Sequence, residues 1–210
     1  MNNDNHIINI GREIGSGGLM IARQLAHDLE FAFYDKELLD LAAKESGFSK
    51  KFFEQNDECK GFMRSFFHAH VPLLGENNFY TNDFSQESLY QFQSDAIRKA
   101  ADQSDCVFVG RTADYILRDY PNTVNIFITA PLEERMERIA ERHQLDKEAA
   151  RKYIEAKDES RSAYYNYYTG KKWGHASSYD LCVNSNLLGL EGTVAFIEEF
   201  IRKRFNLPTP

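Results

Sequence analysis

Three sets of residues have the types and spacing to handle phosphate. The first is the run Gly11-Arg12-Glu13-Ile14-Gly15-Ser16-Gly17-Gly18. Glycines let backbone N–H groups approach an anion closely, and a helix starting behind them adds about half a positive charge. The second is a set of arginines: Arg111 directly after Gly110, then Arg135, Arg138 and Arg142 at spacings of three and four, then Arg161. Guanidinium forks hold phosphate oxygens bidentately. The third is a pair of acids beside such groups, Asp35 and Asp158, the latter three residues before Arg161.

The glycine run matches the phosphate-loop pattern G-x-x-x-x-G-K-[ST] in outline. With its end set on Gly15-Ser16-Gly17, Gly18 stands in the lysine slot and Leu19 in the hydroxyl slot. Arg12 takes the first glycine slot, with Gly11 one residue early. The cradle is present, and its usual cation and metal ligand are missing. Backbone N–H groups of Gly15, Ser16, Gly17 and Gly18 are expected to hold phosphate, with Arg12 as substitute cation. The competing reading is a glycine turn that binds nothing.

The arginines divide. Arg111 follows a glycine that ends an apolar run, so its guanidinium should point into the binding edge; at a helix start it opposes the macrodipole and needs another reason to be there. Arg135 is interleaved with Glu133, Glu134, Glu137 and Glu141 and reads as part of a solvated, salt-bridged face. Asp158 and Arg161 read either as a surface ion pair worth little or as a frame for an anionic ligand. Tyr164, Tyr165, Tyr167 and Tyr168, with Lys171, Lys172 and Trp173, form an aromatic-basic stretch suited to stacking a base or to packing on a sheet edge.

These residues must be held by elements. Short apolar runs at 7–10, 31–34, 106–109, 123–130 and 180–184 read as strands, alternating with helices near 19–30, 36–46, 85–103, 111–120, 132–143, 146–168 and 191–205. Pro131 suits a first helical turn, Asp146 an N-cap and Gly170 a helix stop. The alternation specifies a parallel sheet covered on both faces. Ligands on such sheets bind at the carboxyl ends of the strands. Loop 11–18, Asp35, Gly110-Arg111 and Asn184-Ser185 all follow strands, so they gather on one edge. Residues 48–92 are dense in Phe and Tyr, suited to a pocket, a homo-oligomer interface or satellite packing.

Whole-chain properties narrow the partners. At 210 residues the chain reads as a single domain, 1–210, with an insertion at 48–104. A net charge of −7 argues against a nucleic-acid surface. No apolar run is long enough for a membrane span, and the polar Met1–Asn5 start lacks a signal-peptide core. Cys59, Cys106 and Cys182 are far apart and read as buried free thiols of a cytoplasmic protein. No histidine set has metal-ligand spacing.

Taken together, Gly11–Gly18, Phe33-Tyr34-Asp35-Lys36-Glu37-Leu38, Val109-Gly110-Arg111, Asp158-x-x-Arg161, the tyrosines up to Gly170, and Asp180-Leu181-x-Val183-Asn184 with Leu188-Gly189-Leu190-Glu191-Gly192 resemble the cytidylate-kinase-like proteins over nearly the whole chain. The resemblance implies a P-loop nucleoside monophosphate kinase fold: a three-layer α/β/α domain with a five-stranded parallel sheet, a helical acceptor-side insertion and a helical lid at about 132–170. It implies transfer of the γ-phosphoryl of ATP to CMP or dCMP with Mg²⁺, whose ligands the motifs do not identify. On this likeness Arg138, Arg142 and Arg161 close over the γ-phosphate with Arg12, and Arg111, Asp35 and Asp158 hold the acceptor. Gly110 and Arg111 match the family's glycine–arginine–aspartate motif, with Thr112 in place of the aspartate. A non-catalytic nucleotide-binding module and a kinase of another small phosphorylated acceptor are the competing readings.

Overall fold

The computed structural model describes residues 4–35 and 83–208. They fall into two compact units, Met1–Tyr34 with Ala100–Pro210, and Asp35–Lys99. The helix expected over 36–46 and most of the insertion 48–104 lie outside the described residues; the part that is described is helix α2, Asp83–Gln103.

The first unit is built on five parallel strands: β1 (Ile7–Arg12), β2 (Ala32–Tyr34), β3 (Cys106–Val109), β4 (Thr123–Thr129) and β5 (Leu181–Asn184), in the order β2-β3-β1-β4-β5. β1 is central. Ile7 is paired with Cys106 on one side and Thr123 on the other. Helix α1 (Gly18–Asp28) follows β1, and α6 (Gly189–Phe205) closes the chain. Alternation puts Ile8, Ile10, Val107, Val109, Ile126 and Ile128 on one face, where they pack with Ile21 and Leu25 of α1 and Ile197 and Ile201 of α6. The other face carries Phe127, against which Tyr179 lies at 4.9 Å and Trp173 at 5.2 Å, edge-on. Trp173, the last residue of the aromatic-basic stretch, therefore packs on the sheet, while Tyr167 is exposed.

Between β3 and β5 come α3 (Ala113–Ile116), α4 (Leu132–His143), α5 (Lys147–Thr169) and a 3₁₀ turn at Ala176–Ser178. The helix expected over 111–120 is cut to four residues. Arg111 and Thr112 have φ of 60° and 54°, so the chain after Gly110 makes a left-handed turn before any helix can start. Asp146 caps α5, accepting from Ala149 N–H at 2.8 Å, and Gly170 ends it at φ 66°. Cys106 is buried, but Cys182 is exposed because β5 is an edge strand. No described helix is long and apolar enough to cross a membrane.

Helices α4 and α5 form a hairpin with its own core. Met136 and Ile139 of α4 pack against Ala150 and Ile154 of α5. Each fully buried aliphatic of this size contributes about 1.5–3 kcal/mol. The two helices of the lid segment expected at about 132–170 are thus held to each other by a core of their own. Ile14, from the glycine loop, also packs on this small core.

Candidate phosphate-binding site

The loop starts where β1 leaves the sheet, with Glu13 N–H still bonded to Ile128 O of β4 at 3.1 Å. Gly17 is the N-cap of α1 at φ 78°, and no side chain caps that helix end. A Cβ on Gly17 would run into Leu190 and force the left-handed backbone on a side chain, so only glycine fits.

A loop that turns its N–H groups inward must turn its carbonyls outward, and buried carbonyls need donors. The donors come from the hairpin and from the segment after β5. Arg161 Nη1 donates to Arg12 O at 2.9 Å. Arg135 Nη1 donates to Ile14 O at 3.3 Å, and Arg138 Nη1 to Gly15 O at 3.1 Å. Ser185 Oγ donates to Ser16 O at 2.6 Å. Asp158 takes the one outward N–H, Ile14 N, at 2.9 Å. Arg138 and Arg161, expected to face the γ-phosphate, here grip the loop from behind. Arg138 is tied further to Asn186 Oδ1 at 3.3 Å.

Two expectations are corrected here. Arg135 is not solvated: it is 9% exposed, with Nη1 2.6 Å from Asp158 Oδ2 and Nε 3.6 Å from Glu13 Oε2. Glu13 also accepts from Thr129 Oγ1 and from Ala130 N–H. And Asp158 pairs with Arg135, with Ile14 N–H on its second oxygen, rather than holding Arg161. Arg135 lies within the stripe Leu132, Met136, Ile139 that α4 buries. That stripe was the signal that could have marked it; the flanking glutamates masked it.

Arg12 runs across the loop. A Cβ on Gly18 would stand 2.6 Å from Arg12 Cβ, and one on Gly110 would overlap Arg12 Nη1. The stem therefore crosses the vacant lysine slot and the guanidinium reaches the turn that carries Arg111. Gly110 is glycine for two reasons, a φ of 75° and this close approach. The strained turn at Arg111 and Thr112 is of the kind that clusters at functional sites.

Two further expected residues are Arg142 and Asp35. Arg142, in the last turn of α4, is exposed; with Arg161 it opposes the burial that pushes the Tyr153 phenol up. Asp35 belongs to the second unit and directly follows the last residue of β2. Among the described residues no group of three or more His, Cys, Asp or Glu could hold a metal ion. Sequence reasoning put Glu13 in the loop and Ser185 on the same edge without a role for either, and missed Asn186 and one further acid, Asp114. The last is buried in α3 and accepts from Tyr165 Oη at 2.7 Å. Burial raises its pKa, only partly offset by the Tyr165 hydrogen bond.

A parallel sheet of this order, with a glycine loop after its central strand and an arginine-bearing hairpin against that loop, is an α/β architecture shared with kinases of known structure. Solved structures agree on the fold. A protein from Eubacterium ventriosum matches at TM-score 0.70 and 28% identity, covering 94% of this chain and 98% of that one. The shikimate kinase of Bacteroides thetaiotaomicron matches at TM-score 0.55 and 11% identity, with coverage of 94% and 98%.

The cytidylate kinase-like family model matches residues 7–187, and the chain belongs to that family. Curated relatives include the cytidylate kinases of Methanopyrus kandleri, 30% identical over 50% of this chain, and of Halobacterium salinarum, 30% identical over 53%. The chain spans 58% and 59% of the length of these two relatives.

Proposed function

We propose that this protein transfers the γ-phosphoryl of ATP to a nucleoside monophosphate, with CMP or dCMP as acceptor. The carrying observation is the loop's polarity: the carbonyls of Arg12, Ile14, Gly15 and Ser16 are bound from outside. That leaves the N–H groups of Gly15 and Gly17 and the start of α1 for an anion, while the longer bonds from Ser16 N–H to Glu13 O at 3.4 Å and from Gly18 N–H to Ser16 Oγ at 3.3 Å would be exchanged for phosphate contacts. The names of the curated relatives support the choice of acceptor.

In this reading Gly15, Ser16, Gly17 and Gly18 hold the β-phosphate through their backbone. Arg12, crossing the vacant lysine slot toward Gly110, supplies the loop's cation close to where donor and acceptor phosphates meet. Arg111 binds the acceptor phosphate, with Asp35 orienting the acceptor. Phosphoryl transfer needs mainly positioning and neutralisation of charge. Arg142 brings that charge from the hairpin 132–170, with Arg138 and Arg161 acting through the loop carbonyls they hold; the hairpin acts as a lid and excludes water. Asp158 orients the loop, through Ile14 N–H and Arg135, rather than the acceptor. A Mg²⁺ accompanying ATP would neutralise phosphate oxygens, and among the described residues no acidic cluster is there to hold it. The unpaired thiol of Cys106 accords with a cytoplasmic setting.

One observation favours a second reading, a nucleotide-binding module without turnover: Gly18 and Leu19 stand where the usual lysine and hydroxyl would be. Coupled ATP turnover against a panel of nucleoside monophosphates separates the two. Turnover with a cytidine monophosphate above all others is expected. Tight ATP binding with no turnover for any acceptor would leave the module.

A further inference from the structure

One face of α5 carries a line of contacts. Ile154, Asp158, Arg161, Tyr165 and Thr169 are spaced by three and four residues and so share that face. Asp158 and Arg161 end on the glycine loop, at Ile14 N–H and Arg12 O. Tyr165, one turn beyond Arg161, ends elsewhere: its hydroxyl donates to Asp114, three residues after Arg111. A second tyrosine stands behind it. Gly174 N–H donates to Tyr179 Oη at 3.4 Å, and the Tyr179 ring stacks against that of Tyr165 with centroids 6.2 Å apart. Asp114, as a carboxylate, only accepts, so Tyr165 is the donor of this pair. The phosphoryl-transfer reading above uses none of these groups.

A hydrogen-bonded helix is stiff over one turn, so a fixed Tyr165 fixes the backbone that carries Arg161. Asp114 is fixed in turn by the short helix that follows the Gly110–Thr112 turn. We propose that Asp114 and Tyr165 are a positioning pair: their hydrogen bond sets Arg161 at the loop in register with Arg111, so that donor and acceptor phosphates meet at a defined separation. The proposal rests on the phosphoryl-transfer reading. A hydrogen bond that served only to pack the core would change stability and leave turnover alone.

The test is a double-mutant cycle with Tyr165→Phe and Arg161→Ala, followed by kcat, KM for ATP and acceptor, calorimetric Kd for ATP, and Tm. Tyr165→Phe is expected to lower kcat about tenfold or more with a smaller change in either KM, the scale of a catalytic group misplaced by a fraction of an ångström. The double variant should be no slower than Arg161→Ala, because misplacing a side chain that is already absent costs nothing. Asp114→Asn, which still accepts through Oδ1, should keep kcat near wild type. A wild-type kcat in Tyr165→Phe, or losses that multiply in the double variant, would overturn the pair. If Tyr165→Phe fails to fold, Asp114→Ala takes its place in the cycle with the same two outcomes. If the wild-type protein turns over no acceptor, the function reading falls by itself. The cycle is then read on Kd for ATP, where non-additivity upholds the pair and additivity overturns it.

Discussion

Asp158 is bound to Arg135 across the hairpin, at 2.6 Å, and not to Arg161 one turn along its own helix. The pair is largely buried and shares the glycine loop, with Asp158 on Ile14 N–H and Arg135 on Ile14 O. It clamps one peptide-bearing residue from both sides and makes the shape of the loop depend on the seating of the hairpin.

Removing one partner of such a pair leaves a charge without its counterion. Arg135→Met should lower unfolding free energy by about 3 kcal/mol, the low end for a buried pair because some solvent reaches it. Combining it with Asp158→Leu should recover part of that loss, whereas Arg142→Ala, on the exposed side of the same helix, should change stability by less than about 0.5 kcal/mol. Urea unfolding of the single and double variants decides it; strictly additive losses would sink the clamp.

On the proposed reading, Arg12 supplies the loop's cation from a new place. Arg12→Ala should lower turnover about 10³-fold, the scale of an arginine that neutralises a phosphoryl in flight. Gly18→Lys alone conflicts with Arg12, whose Cβ would stand 2.6 Å from the new Cβ. Arg12→Gly, which also removes that Cβ, combined with Gly18→Lys restores the usual arrangement, and this double variant should be about tenfold or more faster than Arg12→Ala. A double variant no faster than Arg12→Ala would show that a cation at that place is not what Arg12 supplies.

Asp114 carries a pH signature. Burial raises its folded-state pKa above the ordinary 3.8, with Tyr165 and Lys171 pulling the other way. Tyr165 and Tyr179, which face it, are pushed up by burial and stay neutral throughout. A raised carboxyl pKa means that the folded state binds the proton more tightly, so this group's contribution is fully present below pH 3.8 and is lost as pH rises through the folded pKa. Asp114→Asn removes that loss. The stability of the Asn variant relative to wild type should therefore improve as pH rises from about 4 toward neutrality. A difference in Tm that is flat with pH, or that moves the other way, refutes this.

The hairpin should open as one body, because Met136, Ile139, Ala150 and Ile154 hold its helices to each other. ATP with CMP should slow amide exchange across α4 and the first four turns of α5 together, while residues after Tyr165 change little. Exchange that without ligand is already as slow as in the strands, and is unmoved by nucleotide, would rule out a lid.

Much of the fold follows from local pattern. Short β-branched runs alternating with amphipathic helices dictate a parallel sheet, because parallel strands need crossovers and two covered faces. Gly17 and Gly110 announce places where backbone must approach something closely. Asp146, Pro131 and Gly170 mark helix ends because capping chemistry lies within one turn of the residue. What a guanidinium meets across the fold is not local. Arg135 reads as solvated because its sequence neighbours are glutamates, yet it is buried because Asp158 and Ile14 arrive from elsewhere in the chain. Asp158 and Arg161 look like a pair at three residues' spacing, and only the docking of the loop separates them. Arg111 looks like the first residue of a helix until the left-handed turn at Arg111 and Thr112 delays it. Spacing along a helix determines which side chains share a face; which partner each one meets was decided by the contacts that the sheet brings together.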